Sequence, residues 1–343
     1  MTRPAGDDRA PAPTLVEVAR AAGVSRATAS RAVNGGDRVS PEALQAVRAA
    51  VRELGYRPNR AARALATRRT DSIAVVIPES DSRLFTDPFF ATVLHGVTTA
   101  LASTDLQIVL LIGHKGEQSA RMLDYLRDGH TDGAIVVSHH RMDNVAEVLA
   151  DSPMPSVFIG RPWDPAKTPV TWVDVDNFTG GVLAVEHLVA RGARRLGTVA
   201  GPQDMGASVD RLAGWRAGAE AAGLATDAVV HADYTVAGAT RATEELFAAH
   251  PDVDGLFVAS DLMASAALRV LETLGRRVPD DVRLVGFDNM ELATSLRPAL
   301  TTLVNPAAEM ARHAVEMLLS QFGSSGGTEP DLLATELVVR ESS

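Results

Sequence analysis

The sequence predicts an all-α head with a helix-turn-helix pattern and a hinge helix, followed by an α/β body of two doubly wound parallel-sheet subdomains. Three observations predict it. The 343-residue chain has a net charge of −10, unevenly divided. Residues 14–70 hold eleven Arg and no Lys against Glu17, Asp37, Glu42 and Glu53, a net of +7, and residues 1–13 are neutral, which leaves −17 for residues 71–343. Short helical patterns, each with its own capping residues, fill the basic segment. Beyond Asp71, apolar runs alternate with helical stretches, as in βα units. A basic head on an acidic body points to nucleic-acid contact through the head alone.

The head begins with Thr14-Leu-Val-Glu17, a capping box in which each side chain serves the other's backbone. Leu15, Val18, Ala19 and Ala22 recur at helical spacing, and Gly23 stops the helix by permitting a left-handed turn. Ser25 opens a second helix, Arg26 to Val33. Its alanines allow close approach to DNA, and its polar residues reach base edges and phosphates. Ser40-Pro41 caps a third helix with an apolar face of Ala43, Leu44, Val47, Val51 and Leu54, closed by Gly55. Pro58 breaks the chain. Asn59 caps a short Arg-rich segment, Arg60 to Ala66, too short to be stable alone and expected to fold only when docked.

The body shows strand-like runs at Ile73–Ile77, Gln107–Ile112, Gly133–Val137, Ser156–Ile159, Leu196–Ala200, Gly255–Ala259 and Val282–Phe287. Helical stretches such as Phe90–Ser103 and Gln118–Arg127 lie between them. Open α/β sheets bind ligands outside the carboxyl ends of their strands, so two facing sheets make a cleft.

Several classes are excluded. Without cysteine there are neither disulfides nor thiolate metal sites. The N-terminus has no apolar signal-peptide core, and no apolar run is long enough to span a bilayer. Nucleotide-binding, zinc-protease and nucleophile-elbow motifs are absent, so no enzyme activity, cofactor or metal is expected. His139-His140 reads as a surface pair on a loop.

The head resembles the lactose/galactose repressor family. The resemblance rests on Thr14-Leu15, Val18-Ala19, Ala22-Gly23-Val24-Ser25, Thr28, Ser30-Arg31, Val33-Asn34, Val39-Ser40, and Leu54-Gly-Tyr-Arg-Pro-Asn59 followed by Ala62-x-x-Leu65-Ala66. In the body it continues through Glu186-His187-Leu188, Ala200-Gly201-Pro202, Arg211-Leu-Ala-Gly-Trp215, Ser260-Asp261-x-Met263-Ala264, Val285-Gly-Phe-Asp288 and Pro298-x-Leu300-Thr301-Thr302. Through this family the body is similar to periplasmic sugar-binding proteins. The implied domains are a disordered tail (1–13), a helix-turn-helix domain (14–58), a hinge helix and linker (59–70) and a ligand-binding and dimerisation domain (71–343). Within the last, one subdomain takes about 71–170 and 302–333, the other about 171–301 and 334–343.

The resemblance also implies roles. Arg26, Ala27 and Arg31 sit at base-reading positions, where Ala27 offers only apolar contact. Thr14, Ser25, Thr28, Asn34 and Arg38 sit at phosphate-contacting positions. Tyr56, Asn59 and Ala62 belong to the hinge set, and Leu65 sits where the family drives a leucine into the minor groove. Arg211 and Asp288, placed after strand ends, match effector-holding positions. A guanidinium fork and a carboxylate suit vicinal hydroxyls. Trp215 and Tyr234 match aromatic positions, while Asp87 and Phe90 read as contacts from the aromatic loop Arg83 to Phe90. Ser260 and Asp261 complete the set, Ser260 standing where many relatives have Asn. Arg161 stands where sugar-binding relatives place an acid or amide, which suits an anionic or longer ligand.

The implied protein is a cytoplasmic, nucleoid-associated repressor that binds a pseudo-palindromic double-stranded operator as a homodimer. A small effector, a sugar by family precedent, releases it. No heptad tail follows the last strand-like run, so a dimer rather than a tail-linked tetramer is expected. A regulator with a purine or anionic corepressor, or a solute-binding protein, are the alternatives.

Overall fold

A computed structural model describes residues 13–33, 39–57, 69–113, 117–322 and 329–343. The chain separates into two compact units, Met1–Asp71 and Ser72–Ser343.

The first unit contains helices α1 (Leu15–Ala21), α2 (Arg26–Val33) and α3 (Pro41–Leu54). Thr14 and Glu17 form the capping box: the Thr14 amide donates to Glu17 Oε2 at 2.7 Å and the Glu17 amide to Thr14 Oγ1 at 3.3 Å. The Thr28 amide donates to Ser25 Oγ at 3.1 Å, and the Ala43 amide to Ser40 Oγ at 3.2 Å. Gly55 ends α3 with φ of 61°, which a side chain would strain. Val18, Ala19, Ala29, Val47 and Ala50 form the core, with Leu15, Val24, Leu54 and Tyr56 packed against it. The tail, Asn34, Arg38 and the expected hinge with Asn59, Ala62 and Leu65 lie outside the described residues.

The second unit has twelve strands among its described residues. They are β1 (Ser72–Ile77), β2 (Gln107–Ile112), β3 (Gly133–Val137), β4 (Ser156–Ile159), β5 (Thr171–Val175), β6 (Leu196–Ala200), β7 (Val229–His231), β8 (Gly255–Val258), β9 (Arg283–Asp288), β10 (Thr301–Val304), β11 (Asp331–Leu333) and β12 (Leu337–Val338). They form two six-stranded sheets, of order β11-β5-β4-β3-β1-β2 and β12-β10-β9-β8-β6-β7. Every pairing is parallel except β10 with β12. Parallel strands need crossover helices, and these cover both faces, so β1, β3 and β4 are buried throughout.

The helices are α4 (Asp81–Thr86), α5 (Pro88–Leu101), α6 (Glu117–Arg127), α7 (Val145–Ala150), α8 (Asn177–Ala190), α9 (Gly206–Ala221), α10 (Val236–Ala249), α11 (Asp261–Thr273), α12 (Glu291–Ser295) and α13 (Ala307–Gln321). Part of the segment expected as a loop, Arg83 to Phe90, is therefore helical, with Asp87 capping α5.

The chain passes between the sheets three times: after β5, after β10 and between β11 and β12. Two expected boundaries move. Thr171–Val175 belongs to the first sheet and Thr301–Val304 to the second. The chain leaves a sheet only beyond a strand's carboxyl end, so neither break falls where a strand begins.

Candidate functional site

The carboxyl ends of β1, β3, β4, β5, β9 and β10 converge on a cleft between the sheets, the place where open α/β sheets bind ligands. Its wall includes three non-glycine residues with left-handed φ: Ser138 (58°), Tyr234 (59°) and Asp288 (117°). Such conformations are costly and persist where the surroundings impose them, characteristically at binding sites.

A polar relay crosses the cleft floor. Asn177, the first residue of α8, donates from Nδ2 to Asp174 Oδ1 at 3.0 Å, and its Oδ1 accepts from Arg211 Nε at 2.8 Å. Arg211 lies mid-helix in α9 rather than just after a strand, and stacks 3.5 Å from the Phe287 ring centroid. Its Nη1 donates to the Ala259 carbonyl and faces Asp288 Oδ1 at 3.7 Å. Asp288 in turn accepts from Asn305 Nδ2 at 3.0 Å. Burial pushes the Asp288 carboxyl up to about 6, against the pull of Arg211. Burial likewise raises Asp87 and Asp174.

Of the expected effector residues, Asp87, Arg161, Arg211, Tyr234, Ser260 and Asp288 line the cleft. Tyr234 donates or accepts a 2.7 Å hydrogen bond with Ser208, and its ring carries the Arg83 guanidinium at 4.7 Å. Ser260 caps α11, its Oγ accepting from the Met263 amide at 3.2 Å.

Three residues lie elsewhere. Phe90 is 1% exposed and packs in the core, because the helical rotation of α5 turns Phe89 to the cleft instead. Trp215, one turn beyond Arg211, is wholly buried beneath α8. Asp261 accepts from Thr302 Oγ1 at 2.6 Å and the Met290 amide at 2.9 Å, tying α11 to the loop after β9.

Arg161 is not free for an anion. Its Nε and Nη2 donate to Asp210 at 2.8 to 3.0 Å, a bidentate pair that crosses from the first subdomain to the second.

His139-His140 is not a surface pair. His139 lines the cleft at 9% exposure. His140 bonds Glu79 Oε1 at 3.1 Å through Nε2 and Asp204 Oδ1 at 2.9 Å through Nδ1, joining the two subdomains. Glu79 also accepts from Ser138 Oγ at 2.7 Å and from Arg83. Sequence reasoning missed Arg83, His139, Asp174, Asn177 and Asn305. Only their positions at strand carboxyl ends or helix starts could have marked them.

In the head, the α2 side chains Arg26, Ala27 and Arg31 are exposed, as are Thr14 and Ser25, while Thr28 is half-buried. Arg31 Nε donates to the Ala27 carbonyl at 3.3 Å. Tyr56 is half-buried, packed against the head core. No group of His, Asp or Glu among the described residues is arranged to hold a metal ion. No helix among them is long and apolar enough to cross a membrane.

A solvent-facing helix-turn-helix and a two-sheet ligand cleft in one chain define the class of ligand-responsive DNA-binding regulators. Residues 14–59 match the model for bacterial regulatory proteins of the lacI family, and residues 185–343 that of a periplasmic binding protein-like domain. The transcriptional regulator CelR of Thermobifida fusca is 44% identical over 96% of this chain and 98% of its own. The ribose operon repressor of Halalkalibacterium halodurans is 31% identical, over 96% of each chain. Among solved structures, a CelR–cellobiose complex superposes with a TM-score of 0.77 at 42% identity, covering 96% of this chain and all of that one. A lac repressor dimer bound to operator and the anti-inducer ONPF gives 0.83 at 28% identity, covering 96% and 98%. The chain belongs to the lacI family of bacterial regulatory proteins: it is a DNA-binding transcriptional regulator and not an enzyme.

Proposed function

We propose that this regulator represses genes for the uptake or breakdown of a sugar, acting as a homodimer on a pseudo-palindromic operator in the cytoplasm, at the nucleoid. A neutral sugar in the cleft releases it. One observation carries the sugar reading over an anionic or purine corepressor. Every guanidinium on the cleft wall already faces a carboxylate: Arg83 with Glu79, Arg161 with Asp210, Arg211 with Asp288. An anion entering the cleft would have to displace one of these pairs, whereas hydroxyls can share them. The CelR relative was solved with cellobiose, so a β-linked glucose disaccharide is the first candidate effector.

The test is a thermal-shift screen of neutral mono- and disaccharides against sugar phosphates and purines. At 100 times its dissociation constant, a true effector adds about 2.7 kcal/mol of stability. Stabilisation by sugar phosphates or purines alone would overturn the reading.

Dimerisation is supported by the open edge of the first sheet. The edge strand β2 exposes Leu110 at 40%, and Phe85 beside it is 76% exposed. These residues line one apolar depression with Leu84, Pro88, Ala91 and Leu94. An edge this apolar invites pairing with a second copy.

On the DNA side, Arg26, Ala27 and Arg31 read bases, and Thr14, Ser25, Thr28, Asn34 and Arg38 hold phosphates. Tyr56, Asn59 and Ala62 serve the hinge and Leu65 the minor groove. Leu65→Gly is expected to weaken operator binding at least tenfold while sparing sugar binding. Unchanged operator affinity in a gel-shift titration would sink the leucine-wedge assignment.

A further inference from the structure

We infer that His139 contacts the effector directly, its imidazole exchanging hydrogen bonds with ligand hydroxyls. The inference deepens the sugar reading of the cleft and rests on it.

Buried polar atoms in folded proteins almost always have partners. Among the described residues, the buried side-chain atoms without one are Arg83 Nε, both ring nitrogens of His139, Thr198 Oγ1, Trp215 Nε1 and Asn305 Oδ1. Thr198 and Trp215 are on β6 and α9, away from the cleft wall. Arg83, His139 and Asn305 all line the cleft. Unmet hydrogen-bonding capacity is therefore gathered where a ligand would sit, and His139 alone contributes two of those atoms.

The ring is held in place without being satisfied. Its edge meets the Phe158 ring at 5.2 Å and 85°. Gly160, with φ of 106°, stands beside it, where a Cβ would lie 3.6 Å from His139 Cε1, in ordinary contact. The Arg161 main chain approaches without the geometry of a hydrogen bond.

Burial pushes the imidazole down to about 4, so at neutral pH one ring nitrogen donates and the other accepts. That pairing suits a hydroxyl, which itself donates and accepts. A phosphate or carboxylate would use only the donor and strand the acceptor. Asn305 Oδ1 adds an acceptor and Arg83 Nε a donor, so the free capacity of the cleft is mixed, as a polyol requires.

The experiment is calorimetric titration of the full-length protein with cellobiose and its monodeoxy analogues, using wild type, His139→Phe and His139→Gln. His139→Phe keeps the ring volume and removes both nitrogens. It is expected to hold its melting temperature, or raise it, and to bind cellobiose at least tenfold more weakly. His139→Gln, which can still donate and accept, is expected to recover part of the loss. The deoxy position that costs wild type most should cost His139→Phe least. Equal affinity in wild type and a folded His139→Phe overturns the inference and leaves the sugar reading standing. If wild type binds no neutral sugar, the sugar reading fails and this inference with it. Should His139→Phe not fold, the ring 15N resonances of His139 decide: a shift on adding cellobiose to wild type supports the contact, and no shift overturns it.

Discussion

At the scale of single residues, the cleft depends on groups that would be costly to bury alone. Arg211 and Asp288 are 5% and 9% exposed, and each offsets the other's desolvation. Arg211→Ala leaves Asp288 buried without its cation, a change that costs about 3–5 kcal/mol when a buried pair is broken. The expected outcome is a lowered melting temperature and loss of effector response, with operator affinity intact because the head is a separate unit. Fluorescence anisotropy of labelled operator, with and without sugar, checks it. A full response in the variant would remove Arg211 from the site. Arg211→Lys should not rescue, since a point charge cannot serve Asn177, the Ala259 carbonyl and Asp288 together.

At the scale of elements, the position of Arg211 is set by the crossing of α8 and α9. That crossing works because glycines face each other. A Cβ on Gly214 would collide with the Phe178 carbonyl, and one on Gly181 would collide with the Arg211 carbonyl and the Trp215 amide. Gly214→Ala should force the helices apart, costing about 1–3 kcal/mol and moving Arg211 away from Asn177. Denaturant melts and sugar titrations should report both losses, and an unshifted effector affinity would show that α9 can adjust without disturbing the cleft. This level also shows what was legible in the sequence. The long apolar strands and the capped head helices declare themselves through periodicity and capping chemistry. β7, β11 and β12 span only two or three residues each, too few for a period-2 pattern to emerge. Phe89 and Phe90 differ by rotation about a helix axis, and Arg211 and Trp215 by one turn along it; both outcomes depend on packing partners distant in sequence. His139 and His140 look like loop polarity until the subdomains close around them.

At the scale of the whole body, the contacts between subdomains are charged and titratable. Burial alone would lower His140, but the hydrogen bonds and charges of Glu79 and Asp204 outweigh it and raise the imidazole to about 9. Burial alone would raise Glu79, yet His140 and Arg83 hold it below the ordinary carboxylate range. The folded protein thus keeps on His140 a proton that the unfolded chain gives up near 6.5. This stabilisation is complete below 6.5 and is lost as pH rises through about 9, while Asp288, at about 6, titrates below that window. Solvent at the cleft mouth screens the contact, so the loss should be about 1 kcal/mol. Melting temperature should fall between pH 6.5 and 9 in wild type and stay flatter in His140→Gln. Parallel curves would show that the histidine does not join the subdomains in solution.

The third passage of the chain between the sheets bears on how the protein is made. Asp331–Leu333 supplies the outer strand beside β5, and Leu337–Val338 the outer strand beside β10. Both sheets therefore wait for residues that leave the ribosome within a few moments of each other. Until then β5 and β10 present unpaired edges, the templates on which chains aggregate. The nascent body gains its full complement of pairing only once residues 331–338 have emerged, and an interrupted chain lacking residues 329–343 would leave both subdomains with an open seam.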